Sequence, residues 1–555
     1  MVNRIPRQYR RFLVIGTGVL VFILGILVLL VQVFVEPTLR KKIHTLIIDG
    51  SDSLYQYKLG ELHADLLGGD IEVEDLDIYV DSVRYKQLEL NNALPTLTMQ
   101  VSLKKGHVKG IGILSILFSK KISVEEIMSS QANIRLSRHY RKDNPQRQAV
   151  PLWKSMRPKI KSIEIERLKL DGVKLLYRNA DTSESMKLQF DRFDAVFNDI
   201  QIDSAAAFDT SRISFAKDVF LKFHDLKYRS ADSTYKLKAE WITYSSKNRS
   251  IDIDSFKLQP TLEKEDFYAN REFRKTLYYL EFDKVGLRNI SIDKYLHENK
   301  IEADSIIIQK PDLEIYLDKK QERLFSSKIG KYPHQQLLRS QVSINIKNIL
   351  LNKADLLYTE KNGNSGKEGN LPIEQLDIHI KNITNQPAAI EANTVCTAEA
   401  KGYILGSSAL KTSFKFYLDS VNGRFDVMGS VESVSGAQIN TISDPLANVG
   451  IPSLNITQLD FSIKADDYTA WSDVNMRYDQ LAILLKKQDK ETGYIKTMNF
   501  MTRVINNHVI YQENPSNSIE RQARNVKYMR LTTQSFFGVI WKALFAGMQE
   551  IMMKT

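Results

Sequence analysis

The sequence predicts a mainly β fold: an elongated, curled antiparallel β-sheet, with one transmembrane helix at its N-terminal end and an amphipathic helix at its C-terminal end. Three observations predict it. A 24-residue run, Phe12 to Val35, is broken only by Thr17 and Gln32. A β-strand beat of apolar residues recurs through most of the chain beyond that run. The last residues, Ser535 to Met553, change to a helical period.

The apolar run spans a bilayer with some tilt. It is too long for a cleaved signal peptide, and no small-residue cleavage site comes after it. Arg4, Arg7, Arg10 and Arg11 precede it, and Arg40, Lys41 and Lys42 succeed it, so the basic residues slightly favour a cytoplasmic tail at 1–11. The remainder then lies across the membrane, in the periplasm of a two-membrane bacterium.

The beat is clearest in Ser162 to Tyr177, where Ile163, Ile165, Leu168, Leu170, Val173, Leu175 and Tyr177 fall two apart or three apart. Alternation keeps side chains on one face of a strand, and a step of three throws the next one onto the wrong face. A β-bulge or tight turn at each such step restores it. The same beat begins at Ile71, Ile251, Leu280, Leu371 and Leu454. With polar residues required between, chance gives roughly two matches at this composition. Six therefore indicate repetition of one supersecondary unit.

Strands begin at Tyr55 to Leu59 and turn at Gly68 and Gly69. Gly110 to Phe118 fits a short helix or a packed loop, and Tyr140 to Trp153 is charged, proline-bearing and loop-like. Helical or loop interruptions are expected near Ala205 to Phe208, Glu263 to Thr276 and Gln335 to Ser340. Lys361 to Asn370 reads as a flexible loop. Gly402, Gly406, Gly423, Gly429 and Gly436 are placed at strand turns. The expected portions are 36–150, 151–360 and 371–511, with the helix after them within 531–555. That helix gathers Phe537, Trp541, Leu544 and Phe545 on one side, to dock on the sheet, cap an apolar end or lie in a membrane interface.

Composition narrows the chemistry. The net charge of +11 is spread among 66 acidic residues and forms no long basic stripe, against nucleic-acid binding. One cysteine excludes an intrachain disulfide and any multi-cysteine zinc site. No histidine pair has metal-ligand spacing, and no phosphate loop or nucleophile elbow is present, so neither metal nor cofactor nor catalysis is expected. Glu164 and Glu166, or Asp252 and Asp254, alternate with core residues and read as wet-face solubilisers.

The anchor, the repeated strand units and the terminal helix together resemble the AsmA-like family of bacterial inner-membrane proteins. The likeness is carried by KGIGILSILFSKKISVEEIMSSQANIRL at 109–136, IQKPDLEIYL at 308–317, and the stretch Phe425 to Lys487 with its "DPLANVGI" and "MRYDQLAI" segments. It implies a repeating β-groove whose apolar concave face carries phospholipid tails between inner and outer membranes. About 25 strands at about 4.8 Å would extend on the order of 120 Å, and the chain is short beside the largest members.

The residues lead the same way unaided. A sheet with one apolar face must cover it with another layer, with itself or with a ligand, and amphipathic helices are few here. Acyl chains fill such a face at about 0.8 kcal/mol per methylene with little demand for geometry. The candidate groove residues are Ile163, Ile165, Leu168, Leu170, Ile344, Ile346, Leu459 and Phe461. Each would serve equally in a dry sheet-to-sheet contact. The alternative reading is a scaffold or assembly factor for outer-membrane proteins, binding partners by strand addition at sheet edges.

Overall fold

The computed structural model describes residues 51–554, together with 44 and 47–48, except 66–67, 92, 96, 113–120, 139–160, 180–186, 210, 214, 231, 270 and 489–494. Strand accounts for 60% and helix for 17%, so the fold is mainly β and dominated by antiparallel pairing. The expected membrane span, 12–35, lies outside the described residues. Among the described residues no helix is long and apolar enough to cross a membrane. The chain gathers into two compact units, one of residues 1–256 with 288–299, the other of 257–287 with 300–555. That division falls inside the expected central portion, 151–360.

In the first unit, β1 (Tyr55–Leu59) and β2 (Leu62–Asp65) pair with β3 (Asp70–Val80). Then come α1 (Ser82–Leu90), β4 (Leu97–Lys109) and β5 (Lys121–Arg138). After them lie β6 (Ser162–Asn179), β7 (Lys187–Ile202), β8 (Ala216–Arg229), β9 (Tyr235–Ser245) and the start of β10 (Ser250–Pro260). From β3 to β9 each strand pairs antiparallel with the next, except that β5 and β6 run parallel. A short helix, α2 (Lys264–Ala269), belongs to the second unit, and α3 (Ile292–Glu298) returns to the first.

The second unit holds β11 (Leu277–Arg288), β12 (Lys300–Gln309), β13 (Asp312–Asp318), α4 (Pro333–Leu338) and β14 (Ser343–Lys361). It continues through β15 (Glu368–Thr384), α5 (Pro387–Ala392), β16 (Val395–Ile404), β17 (Ser408–Tyr417) and β18 (Phe425–Ser435). The last elements are α6 (Gly436–Ala447), β19 (Val449–Ala465), β20 (Thr469–Gln488), β21 (Ile495–Thr497), α7 (Asn499–Val504), β22 (Gln522–Met529) and α8 (Phe536–Met552). β14 pairs parallel with β12 along its first half and with β13 along its second. The expected antiparallel sheet is thus antiparallel in most of its pairings and parallel in three, β5 with β6 and β14 with β12 and β13. Parallel neighbours need a crossover, and 319–342 supplies one.

Many of the steps of three, though not those ending at Leu168, Val285 and Leu459, are resolved by one backbone device. Asp75, Gly172, Ser255 and Gln375 each stand with positive φ immediately before the returning apolar residue, and Asp199, Lys353, Ser433, Gln480 and Asn525 do the same elsewhere. A left-handed residue lets the strand advance by one without turning its apolar set outward. At Gly172 the register with β7 slips between Leu170 and Val173, and both stay buried. At four of these bulges the freed amide finds a carboxylate on the neighbouring strand. Gly172 N donates to Asp194 Oδ1 at 2.8 Å, Gln375 N to Asp355 Oδ1 at 2.8 Å, Lys353 N to Asp377 Oδ1 at 3.1 Å, and Asn525 N to Asp473 Oδ1 at 2.7 Å. Partial burial would raise the Asp194 carboxyl, but the Gly172 amide and the Arg192 guanidinium outweigh it and hold it below the usual carboxylate range.

Other sequence expectations are revised. Residues 361–370 form a tight hairpin rather than a flexible loop: Lys361 pairs with Glu368, and Asn362 Nδ2 donates to the carbonyls of Pro445 and Leu446. Gly406 and Gly423 do turn the chain, whereas Gly402 and Gly429 lie inside strands and Gly436 opens α6. Gly429 is there for space, since a Cβ would collide with the Phe461 ring. The first half of the "DPLANVGI" segment ends α6, a helix begun by the Ser435–Gln438 capping box, and its second half opens β19.

At Gly172 an added methyl would meet no atom within 4 Å, so Gly172→Ala tests the backbone alone. We expect a loss of about 1 kcal/mol in urea denaturation. Asp194→Ala, which strips the bulge of its acceptor, should lose about 1–2 kcal/mol, less than additively with the first change. An unchanged midpoint for both would mean that the bulge does not hold this strand in register.

Candidate functional site

The eight groove residues occupy different surroundings. Ile163, Ile165, Leu168 and Leu170 are buried in the core of the first unit, among Ile122, Leu136, Ile200 and Ile202. Ile47, Ile111, Ile213 and Phe215 from connecting segments, and Ile292 of α3, pack onto the same core. These four side chains therefore meet protein. In the second unit Leu459 is buried and Phe461 half-buried within the core that includes α8. Ile346 is buried between Ala303 and Ile383, and Ile344 opposite Ile301 is half-buried.

Directly paired residues share a face, so the registers of the second unit can be followed across the strands. One row runs Ile306, Ile349, Ile380, Ala398, Phe414, Val427, Ile463. The next runs Ile308, Leu351, Ile378, Ala400, Thr412, Gly429, Phe461, Val474. From β18 to β22 this face is sealed. α8 presents Phe536, Val539, Ala543, Leu544, Gly547 and Ile551 to it, and Tyr332 and His334 at the start of α4 reach Phe425 and Phe416. From β12 to β16 the same two rows are only half-buried, and they belong to none of the cores. The sequence reading missed Ile306, Ile349, Leu351, Ile378 and Ile380 as an uncovered set. The triple Ile306–Ile307–Ile308 marks the spot, but only the register puts the rows side by side.

The terminal helix sits as an amphipathic helix does, rotated from the expected face. Leu544 points into the core, Phe545 is half-buried against Trp541, and Phe537 and Trp541 are exposed. Small residues explain the rotation: a Cβ on Gly547 would collide with Val474, and Ser472 Oγ donates to the Ala543 carbonyl at 2.9 Å. The helix approaches through Ala543 and Gly547, and bulkier Phe537 and Trp541 are left outside.

The reverse face of β14–β20 carries a cavity of about 950 Å³. Its walls are polar rows, with His379, Glu399 and Asp473 on one side and Lys401, Lys411 and Asp460 on the other. Charges of both signs line it, which favours no ligand of one charge. Among the described residues no group of three or more His, Cys, Asp or Glu side chains could hold a metal ion. Glu164 is on the wet face, 2.5 Å from Lys121 Nζ, in an exposed pair worth little. Cys396 is buried, and burial pushes its thiol up to about 11.

No protein-family model matches this chain, and no curated protein matches it either.

His334 reports on the seal. Burial lowers its pKa from 6.5 to about 4, against the smaller opposing pull of the Gly423 backbone and Asp467. The folded state thus keeps the ring neutral, while the unfolded chain protonates it near 6.5. Its contribution is full above about pH 6.5 and is lost as the pH falls towards 4, by roughly 3 kcal/mol at most. Between these limits His334→Phe should flatten the pH dependence of denaturant midpoints. Identical slopes for both proteins would place the ring in water instead.

Proposed function

We propose that this chain is a membrane-anchored lipid-binding protein that carries phospholipid acyl chains on the uncovered apolar face of its second unit, in transport between inner and outer membranes. One observation carries the reading. A single sheet face is closed by α8 over β18–β22 and only half-buried over β12–β16, where two aliphatic rows lie side by side. A folded chain gains by covering such a face, and hydrocarbon does so without polar partners. The floor suits it. Ala398, Ala400, Gly402 and Thr412 leave a shallow lane between the bulkier Ile349, Leu351, Ile378 and Ile380 and the sealed core.

In this reading the headgroup stays at the solvent edge and the chain's own side chains only sort hydrocarbon from water; no bond is made or broken. The apolar run at 12–35 supports an inner-membrane location with the bulk of the chain in the periplasm. The curled, elongated groove of the AsmA-like resemblance belongs to the same proposal. Its acyl lane moves from Ile163, Ile165, Leu168 and Leu170 to Ile306, Ile349 and Ile380.

Mass spectrometry of the protein extracted in mild detergent tests this. We expect co-purifying phospholipid, reduced roughly tenfold by the pair Ile349→Lys and Ile380→Asp, which sets opposite charges at two half-buried, directly paired positions, with a cooperative melting transition retained. By contrast, Ile165→Asp should unfold the first unit, a charge there being buried without a partner. Lipid-free protein, or full lipid loading in the double variant, ends the proposal.

A further inference from the structure

At one end of the second unit a buried ion pair ties several loops together. Arg530 and Asp467 meet at 2.9 Å with both side chains almost wholly inaccessible. Asp467 also accepts from Gly330 N at 2.9 Å and from Gln335 Nε2 at 2.7 Å. Arg530 donates to the carbonyls of Lys328 at 2.8 Å and Gln534 at 3.0 Å, and stacks over Tyr332. Asp467 N reaches the Asn422 carbonyl. A buried pair stabilises little by itself, but this one fixes four segments relative to each other: the loop at 322–331, the β17–β18 turn, the β19–β20 turn, and the approach to α8.

Those four segments and the first two turns of α8 hold large apolar side chains out in water. Leu324 is 61% exposed, Phe325 84%, Leu531 64%, Phe537 72% and Trp541 54%. Tyr468 and Val421 sit exposed on the two turns. Lys328 N donates to Thr532 O at 2.6 Å, and Arg323 binds the Thr533 carbonyl, which brings the Leu324–Phe325 tip beside Leu531 and the first turn of α8. Such a cluster is not needed for the fold. The exposed charges on these segments are Arg323, Lys331 and Arg424 against Glu322 and Asp419, and exposed Lys542 lies beside them in the second turn of α8.

We propose that this end of the second unit docks on an anionic lipid bilayer surface, inserting the Leu324–Phe325 tip together with Leu531, Phe537 and Trp541. Aromatic and aliphatic tips on a stapled base, with a basic excess around them, fit the headgroup boundary: rings enter the interface and lysines and arginines meet phosphate. The proposal stands on this end alone and does not depend on where acyl chains travel.

The test uses the full chain held in phosphatidylcholine nanodiscs and floated with separate vesicles of phosphatidylcholine and phosphatidylglycerol, empty nanodiscs serving as control. Wild-type protein should be captured, and the pair Phe325→Ser and Phe537→Ser should lower capture roughly tenfold or more. Lys331→Glu with Lys542→Glu should lower it in a salt-dependent way. Because Cys396 is buried, a solvatochromic probe on Phe325→Cys should report on that site, shifting to the blue when vesicles are added. The serine positions are exposed, so an unchanged melting temperature confirms that the fold is intact. Capture equal to wild type in the serine pair, or a probe that stays in water, overturns the proposal. So does dimerisation that the serine pair abolishes while vesicles are never captured, which would make this end a subunit contact.

Discussion

The fold depends on a backbone conformation that L-residues ordinarily avoid. Each time the apolar spacing lengthens from two to three, the chain must absorb one residue or bury its charged face instead. A residue with positive φ does this at Asp75, Gly172, Ser255, Gln375 and their counterparts. The local cost is about 1 kcal/mol for a residue with a Cβ, and it is met by the burial gained on either side. The interruption also frees an amide, and at Gly172, Lys353, Gln375 and Asn525 an aspartate across the ladder takes it up. On β14 and β15 the arrangement is reciprocal, Asp377 serving Lys353 and Asp355 serving Gln375. Several acidic residues that would pass for solubilisers thus hold register as well.

This is also where sequence reading succeeded. Alternation with steps of three is visible in Ser162 to Tyr177, and spacing alone implies the bulge at Gly172. Strand starts such as Tyr55 and the helix beginning after Ser535 are legible because local spacing and capping decide them. The parallel pairings are not, since nothing local tells β6 which neighbour it will find. Nor is the hairpin at 361–370, whose glycine-rich composition suggests freedom while Asn362 is held by a segment more than eighty residues away.

Burial is the least legible property of all. Ile165 and Ile349 have the same chemistry and comparable strand settings, yet one lies in a closed core and the other on an uncovered face. What separates them is the cover, and a cover is a long-range fact. The rotation of α8 has the same origin. A helical wheel weighs Phe537 and Trp541 as core, whereas the sheet admits the side with Ala543 and Gly547 because a close approach buries more.

β14 has a bearing on the order of assembly. Its nineteen residues rest against two shorter strands laid end to end, which the chain reaches only after crossing back through 319–342. Until that return is complete, β12 and β13 present an open edge, and the half-exposed isoleucines beside it lack their largest neighbours. Chains emerging from synthesis pass through that state in sequence order. A ribbon built this way has its most adhesive moment partway through, and closing the crossover promptly protects it from its own siblings.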